Sequence, residues 1–185
     1  MNNSDDSDDQ WIVSQIVSGK PELFRYIIKR YEKAVCALGM GFFRNTCDAA
    51  DFTQDVFLKV FRSLASFEGR SRFSTWLYKV AYTTAINRKQ RTKEYQTLAD
   101  ENSVIAEGTP EREAMRQAIR SAVQEAVADL PERYRVCIDL FFFYDRSYQE
   151  IEEITGFPVN TIKSHVLRAK KLLRKKLEGL VEGGF

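Results

Sequence analysis

The sequence predicts an all-α protein made of two small helical domains joined by a flexible linker. Three observations carry this. Apolar residues recur at i, i+3 and i+4 in one segment after another, no stretch alternates convincingly with period two, and helical spacing lapses once, between Thr92 and Arg112. A length of 185 residues suits one or two such domains, each with a modest core.

Taken in order, residues 1–9 carry Asp5, Asp6, Asp8 and Asp9 without a base and are expected to be a disordered acidic lead. A first helix is predicted from about Asp9 to Val17. After Gly19-Lys20-Pro21 a second begins near Glu22, with Phe24, Ile27, Ile28, Tyr31 and Val35 on one face. A third covers about Asp48 to Leu64, with Asp48 as its cap and Phe52, Val56, Val60 and Leu64 sharing a side. Ser66–Phe73 reads as a basic loop. Ser74 is expected to cap a fourth helix that turns Leu77, Val80, Ala81 and Thr84 inward. The first domain thus spans 10–91.

The stretch 92–112 is polar and contains Gly108-Thr109-Pro110, so it is predicted to be a tether of about 25 Å as flexible coil. Thr109-Pro110-Glu111 has the form of a helix start, followed by Met115, Ile119, Ala122 and Ala126 on one face. The second domain is assigned to 113–185. Pro131 breaks the chain, and Tyr134–Phe143 is a further apolar helix. Phe141, Phe142 and Phe143 are expected in the core rather than on a stacking platform.

Composition narrows the chemistry. No apolar run approaches the roughly 18 residues of a membrane span, and the start is acidic, so a cytoplasmic protein is expected. Cys36, Cys47 and Cys137 lack the spacing of a disulfide framework and are expected to be reduced and mostly packed. With one histidine, no CxxC, no phosphate-cradling glycine loop and no nucleophile–His pair, neither a metal site, a cofactor, a small-molecule substrate nor an enzyme is expected. The net charge of +2 hides a strong polarity: Lys163, Arg168, Lys170, Lys171, Arg174, Lys175 and Lys176 crowd a fourteen-residue strip without an acid.

That strip belongs to the strongest motif. Ser147-Tyr-Gln-Glu150 is a capping box, and Ile151 and Ile154 give its short helix an apolar side. Gly156-Phe157-Pro158 makes a turn, and a basic helix from Val159 to about Leu177 follows. Ile162, Val166, Ala169 and Leu173 face inward on it, with Lys163, Ser164, Arg168 and Lys171 on the other side. A short helix, a glycine turn and a cationic second helix is what reading of a major groove requires. An ordinary hairpin with a solvated basic face is the plainer alternative, and the agreement of cap, turn, length and charge favours DNA. His165 is expected to be a partly exposed bystander, with a phosphate contact as its second role.

In the first domain, Ser66–Leu77 mixes bases with aromatics, and Lys79, Thr83 and Asn87 continue at i, i+4 and i+8, a pattern suited to single-stranded nucleic acid. Trp76 is assigned to the core. Four segments in order then carry a resemblance: Asp51-Phe-Thr-Gln54-Asp55-Val-Phe-Leu58, Phe73-Ser-Thr-Trp-Leu, Leu130-Pro-Glu-Arg133 and Ser147–Leu173. From Trp11 to Leu180 the chain resembles the extracytoplasmic-function (ECF) branch of the sigma-70 family.

The resemblance implies a subunit that brings bacterial RNA polymerase core to promoter DNA. It implies that Asp51, Gln54 and Asp55, with Leu58 nearby, dock on the clamp helices of the largest subunit, and that the flap is a further contact. It implies that Phe67, Arg70, Arg72, Phe73, Lys79, Thr83 and Asn87 serve the −10 element. Thr161, Lys163, Ser164, His165, Arg168 and Lys171 would serve the −35 element. Relatives are commonly restrained by an anti-sigma factor, often at the membrane, which implies such a partner. Thr83 stands where many relatives carry Asn, and Glu152 where a small Ala is usual. A stand-alone helix-turn-helix regulator is the rival, and it would need a ligand pocket or a phospho-acceptor sheet in the first domain.

Overall fold

The computed structural model describes residues 3–95 and 121–182, and every regular element among them is helical. In chain order these are α1 (Asn3–Val17), α2 (Phe24–Phe43), α3 (Thr46–Ser63), α4 (Phe73–Tyr95), α5 (121–128), α6 (Glu132–Ile138), α7 (Tyr148–Thr155) and α8 (Val159–Glu182). The chain divides into two compact units, the first built on α1–α4 and the second holding residues 121–151 and α8. The expected helix start at Thr109-Pro110-Glu111, most of the tether, Met115 and Ile119 lie outside the described residues. No helix among the described residues is long and apolar enough to cross a membrane.

In the first unit α2 packs against α3, and α1 and α4 complete the bundle. The predicted apolar faces make its core: Ile27, Tyr31 and Val35 from α2, Phe52, Val56 and Val60 from α3, and Leu77 and Ala81 from α4 are at most 1% exposed. α2 and α3 approach so closely that a Cβ on Gly39 would stand 2.7 Å from the Phe52 ring and 3.3 Å from the Ala49 Cα, so only glycine fits. Two residues turn the corner between them. Arg44 closes α2 in the left-handed region (φ 55°), its amide donating to the Met40 carbonyl at 3.0 Å.

Four local expectations are corrected. Asn45, not Asp48, caps α3, its side-chain oxygen accepting from the amides of Cys47 at 2.8 Å and Asp48 at 3.1 Å. α4 begins at Phe73 with the Trp76 amide donating to the Arg72 carbonyl, so Ser74 lies buried in the first turn rather than at the cap. The same helix continues to Tyr95, into the stretch assigned to the tether. α1 starts at Asn3, and Asp9 belongs to the interior and not to a disordered lead: it is fully buried and accepts from both the Arg30 guanidinium and the Tyr31 hydroxyl. Burial, and then that hydrogen bond, push the Tyr31 phenol well above its usual pKa.

In the second unit α6 packs against α8. Tyr134, Val136, Cys137 and Ile138 of α6 and Ile162, Val166 and Ala169 of α8 are buried. The predicted Tyr134–Phe143 helix is not uniform: after Ile138 it widens into a π-type turn over Asp139–Phe143. The wider turn rotates the last aromatics away from the apolar stripe, so Phe142 and Phe143 are exposed by 52% and 67%, contrary to the expected core placement. Cys36, Cys47 and Cys137 are all thiols, half-buried, exposed and buried in turn.

Candidate nucleic-acid interfaces

The expected docking residues share one face of α3. Asp51, Gln54, Asp55 and Leu58 follow i, i+3, i+4 and i+7 spacing and are all exposed, opposite the buried Phe52, Val56 and Val60. Arg88 of α4 borders the acidic end, donating to the Asp48 carboxylate at 3.2 Å and lying 3.9 Å from that of Asp55. The face ends on apolar surface, with Leu58 53% and Phe61 43% exposed. Phe61 joins this face as a residue outside the predicted docking set. Its signal is an aromatic three residues beyond Leu58 and off the buried stripe.

The second group surrounds the start of α4. Arg70 and Arg72 are exposed in the loop, and Lys79, Thr83 and Asn87 are exposed along one side of α4. Beneath the loop, Phe67 lies edge-on to Phe73 with ring centres 5.4 Å apart and 5.5 Å from Trp76. Phe73 is fully buried, also against Tyr31, so it is corrected from a base-contacting residue to a core residue that supports the loop. Phe67 is half-buried and so keeps part of its surface accessible.

The third group lies on α8. The capping box forms: the Ser147 amide donates to the Glu150 carboxylate at 2.9 Å and the Glu150 amide to the Ser147 hydroxyl at 3.2 Å. Gly156 takes φ +75°, a conformation an L side chain resists, and so allows the sharp exit from α7. On α8, Lys163, Arg168 and Lys171 are exposed and Thr161 and Ser164 half-buried. Leu167, 56% exposed between Ser164 and Lys171, is an addition to the predicted set; its signal is an apolar residue off the Ile162–Val166–Ala169 stripe. Arg168 donates to the Tyr134 hydroxyl at 3.4 Å, which holds that phenol below its usual pKa and tethers one arm of the guanidinium fork.

His165 is the clear correction on this helix. It is buried between the Tyr134 and Phe157 rings, with its Nδ1 3.7 Å from the Cys137 Sγ. Burial, and then the charges of Arg133 and Arg168, lower its pKa, which favours the neutral ring, and at 8% exposure it offers a phosphate little surface. Burial likewise pushes the Cys137 thiol up to about 12. At the π-type turn, burial raises the Asp139 carboxyl to about 6 against the pull of Arg135. The folded unit therefore keeps a proton that the unfolded chain releases near pH 3.9. Its stability is expected to fall as pH rises from about 4 to about 6. Asp139→Asn should raise the thermal midpoint at neutral pH and leave it unchanged near pH 4. A midpoint that climbs across that interval in the wild type would contradict this.

Comparison with known proteins follows the same division. Residues 27–94 match the family described as Sigma-70 region 2, and residues 120–173 match Sigma-70, region 4. The chain is 31% identical to the RNA polymerase sigma-H factor of Pseudomonas aeruginosa over 94% of its own length and 95% of that protein's. It is 30% identical to the ECF RNA polymerase sigma-E factor of Escherichia coli over 94% and 96%, and 28% identical to SigW of Bacillus subtilis over 91% and 96%. In fold it is similar to CnrH, solved in complex with the cytosolic domain of CnrY (TM-score 0.68, 18% identity, 92% of this chain and 97% of that one). It is also similar to the sigma factor RpoE of Bartonella quintana, solved with the anti-sigma factor NepR (TM-score 0.66, 23% identity, 84% and 96%).

Proposed function

The chain belongs to the sigma-70 family and is an RNA polymerase sigma factor of the ECF type, and from that premise we propose which of its surfaces does which part of the work. The α3 face of Asp51, Gln54, Asp55 and Leu58, extended by Phe61, docks on the clamp helices of the polymerase's largest subunit. Acidic and apolar groups side by side suit a basic helical partner. Arg70, Arg72, Lys79, Thr83, Asn87 and the accessible part of Phe67 capture the unpaired −10 strand, where trapping unstacked bases offsets a cost of a few kcal/mol per base. α8 reads the −35 duplex: Arg168 and Ser164 reach base edges, Leu167 suits a thymine methyl, and Lys163 and Lys171 contact phosphates.

The observation that carries this reading is the segregation of charge onto separate helices, with an acidic-apolar face on α3 and cationic faces on α4 and α8. In this reading all the work is binding energy, and bond formation belongs to the polymerase core. The chain acts in the cytoplasm and is restrained by an anti-sigma factor, a partner class supported by the solved complex of RpoE with NepR. The stand-alone regulator is not favoured, since it leaves the α3 face without a use. Co-purification with core polymerase and promoter-dependent run-off transcription test the assignment; failure of either removes it. Within it, Arg168→Ala is expected to weaken binding to a −35 duplex by about 1–3 kcal/mol and to relax discrimination at one base position. A uniform loss across sequences would make Arg168 a phosphate contact instead.

A further inference from the structure

The lysines of α8 differ in what lies beneath them. Three rings outside the core form a continuous ladder. Phe142 meets Phe141 edge to face at 4.9 Å, and Phe141 stacks on Tyr148 at 4.9 Å with the planes 11° apart. A lysine of α8 stands over each end: the Lys170 ammonium is 4.9 Å from the centre of the Phe142 ring, and that of Lys163 is 5.9 Å from the centre of Tyr148. Seven residues separate the two, which is two helical turns, so both project along one flank of α8 with their Cα atoms about 10 Å apart.

Two local features build the ladder. The π-type turn over Asp139–Phe143 sends Phe141 toward Tyr148 and Phe142 toward Lys170, where a regular helix would have carried them round by a fixed step. The Ser147–Glu150 capping box fixes the first turn of α7 and with it Tyr148. A lysine on open surface samples many rotamers and loses that freedom when it grips a ligand. A ring face attracts the ammonium and narrows those rotamers beforehand. Lys163 and Lys170 still carry exposed side chains, so their remaining N–H donors are available to an anion.

We propose that the Phe142–Phe141–Tyr148 ladder is a positioning platform that presents Lys163 and Lys170 as a pre-oriented pair to phosphates along one edge of the −35 groove, with Lys170 itself a DNA-contacting residue. This rests on the reading of α8 as the −35 reader. It adds Lys170, one of the bases of the cationic strip, to the contacting residues and gives the exposed Phe142 of the π-type turn a use. The contacts are to phosphate, so they raise affinity without selecting bases.

The test uses holoenzyme reconstituted from polymerase core and the full chain. It is titrated across a salt series onto a duplex selected from random sequence by the wild-type holoenzyme, and onto the same duplex with its −35 element scrambled. Lys170→Ala is expected to weaken binding to both by about fivefold, and to lower the slope of log affinity against log salt by about 0.9, with the ratio between the duplexes unchanged. Phe142→Leu keeps an apolar side chain but loses the ring quadrupole, and should weaken binding by about two- to fivefold. Phe142→Trp should restore it, and in a Lys170→Ala background Phe142→Leu should add nothing. Both residues are exposed, so unchanged thermal midpoints are expected as the folding control. If wild-type holoenzyme discriminates the duplexes while Lys170→Ala leaves affinity and slope untouched, the inference is overturned and the −35 reading stands. A Phe142→Leu loss that persists without Lys170 also overturns it. If the wild type fails to discriminate, the −35 reading falls and takes this inference with it.

Discussion

Asp9→Ala is expected to lower the unfolding free energy of the first unit by about 1–3 kcal/mol, chiefly the cost of leaving the buried Tyr31 hydroxyl without its acceptor. Asp9 has no exposed surface, and its carboxylate receives both the Arg30 guanidinium and the hydroxyl of Tyr31, itself 1% exposed. The substitution leaves the buried Tyr31 hydroxyl without this acceptor, while Arg30, whose side chain is 29% exposed, can turn to water. Asp9→Asn, which keeps an acceptor oxygen but no charge, should fall between Ala and wild type. Because α1 packs on α2 and α4, the loss should also reach the α4 face that carries Lys79 and Thr83. Urea unfolding followed by helical signal measures it. A change below about 1 kcal/mol would mean that the pair contributes orientation and little stability.

Leu58→Asp is expected to cost about 30-fold or more in affinity for polymerase core, the equivalent of about 2 kcal/mol for an interface anchor. Leu58 is 53% exposed on the apolar part of the proposed docking face, so its replacement should leave the thermal midpoint unaltered and act on association alone. Asp55→Ala should show a smaller loss, because part of its field is already directed at Arg88, 3.9 Å away. Competition against wild-type protein for core polymerase gives both values, and binding of the free chain to a −35 duplex is the control. Equal losses in the two assays would undo the assignment of separate surfaces.

Much of this was legible in the sequence wherever a pattern repeats over several turns. The apolar stripes of α2, α3 and α8 predicted the buried sides, and the Ser147–Glu150 spacing predicted a capping box whose two hydrogen bonds are present. What escaped depends on contacts between distant residues or on small angular offsets. Asp9 sits in a run of acids that reads as a solvated lead, and its burial is decided by Arg30 and Tyr31 more than twenty positions away. Asn45 and Asp48 are both good caps three residues apart, and the left-handed Arg44 selects the first by ending α2 just before it. His165 lies at the margin of the buried side of α8, where Tyr134, Phe157 and Cys137 draw it inward. Phe142 and Phe143 follow an apolar run, and only the widened turn puts them outside.

The far end of α8 carries fewer unopposed charges than its letters suggest. Lys176 is paired with Asp129 and Arg174 with Glu178, both at 2.6 Å. Two acids of the protein thus sit on the last bases of the strip, and a distant polyanion meets a weaker pull than seven lysines and arginines would exert. A chromosome offers millions of irrelevant sites that compete by charge alone. With the tip of the helix muted, fewer molecules are expected to be stranded on such sites, leaving more of the pool available to be recruited where genes begin.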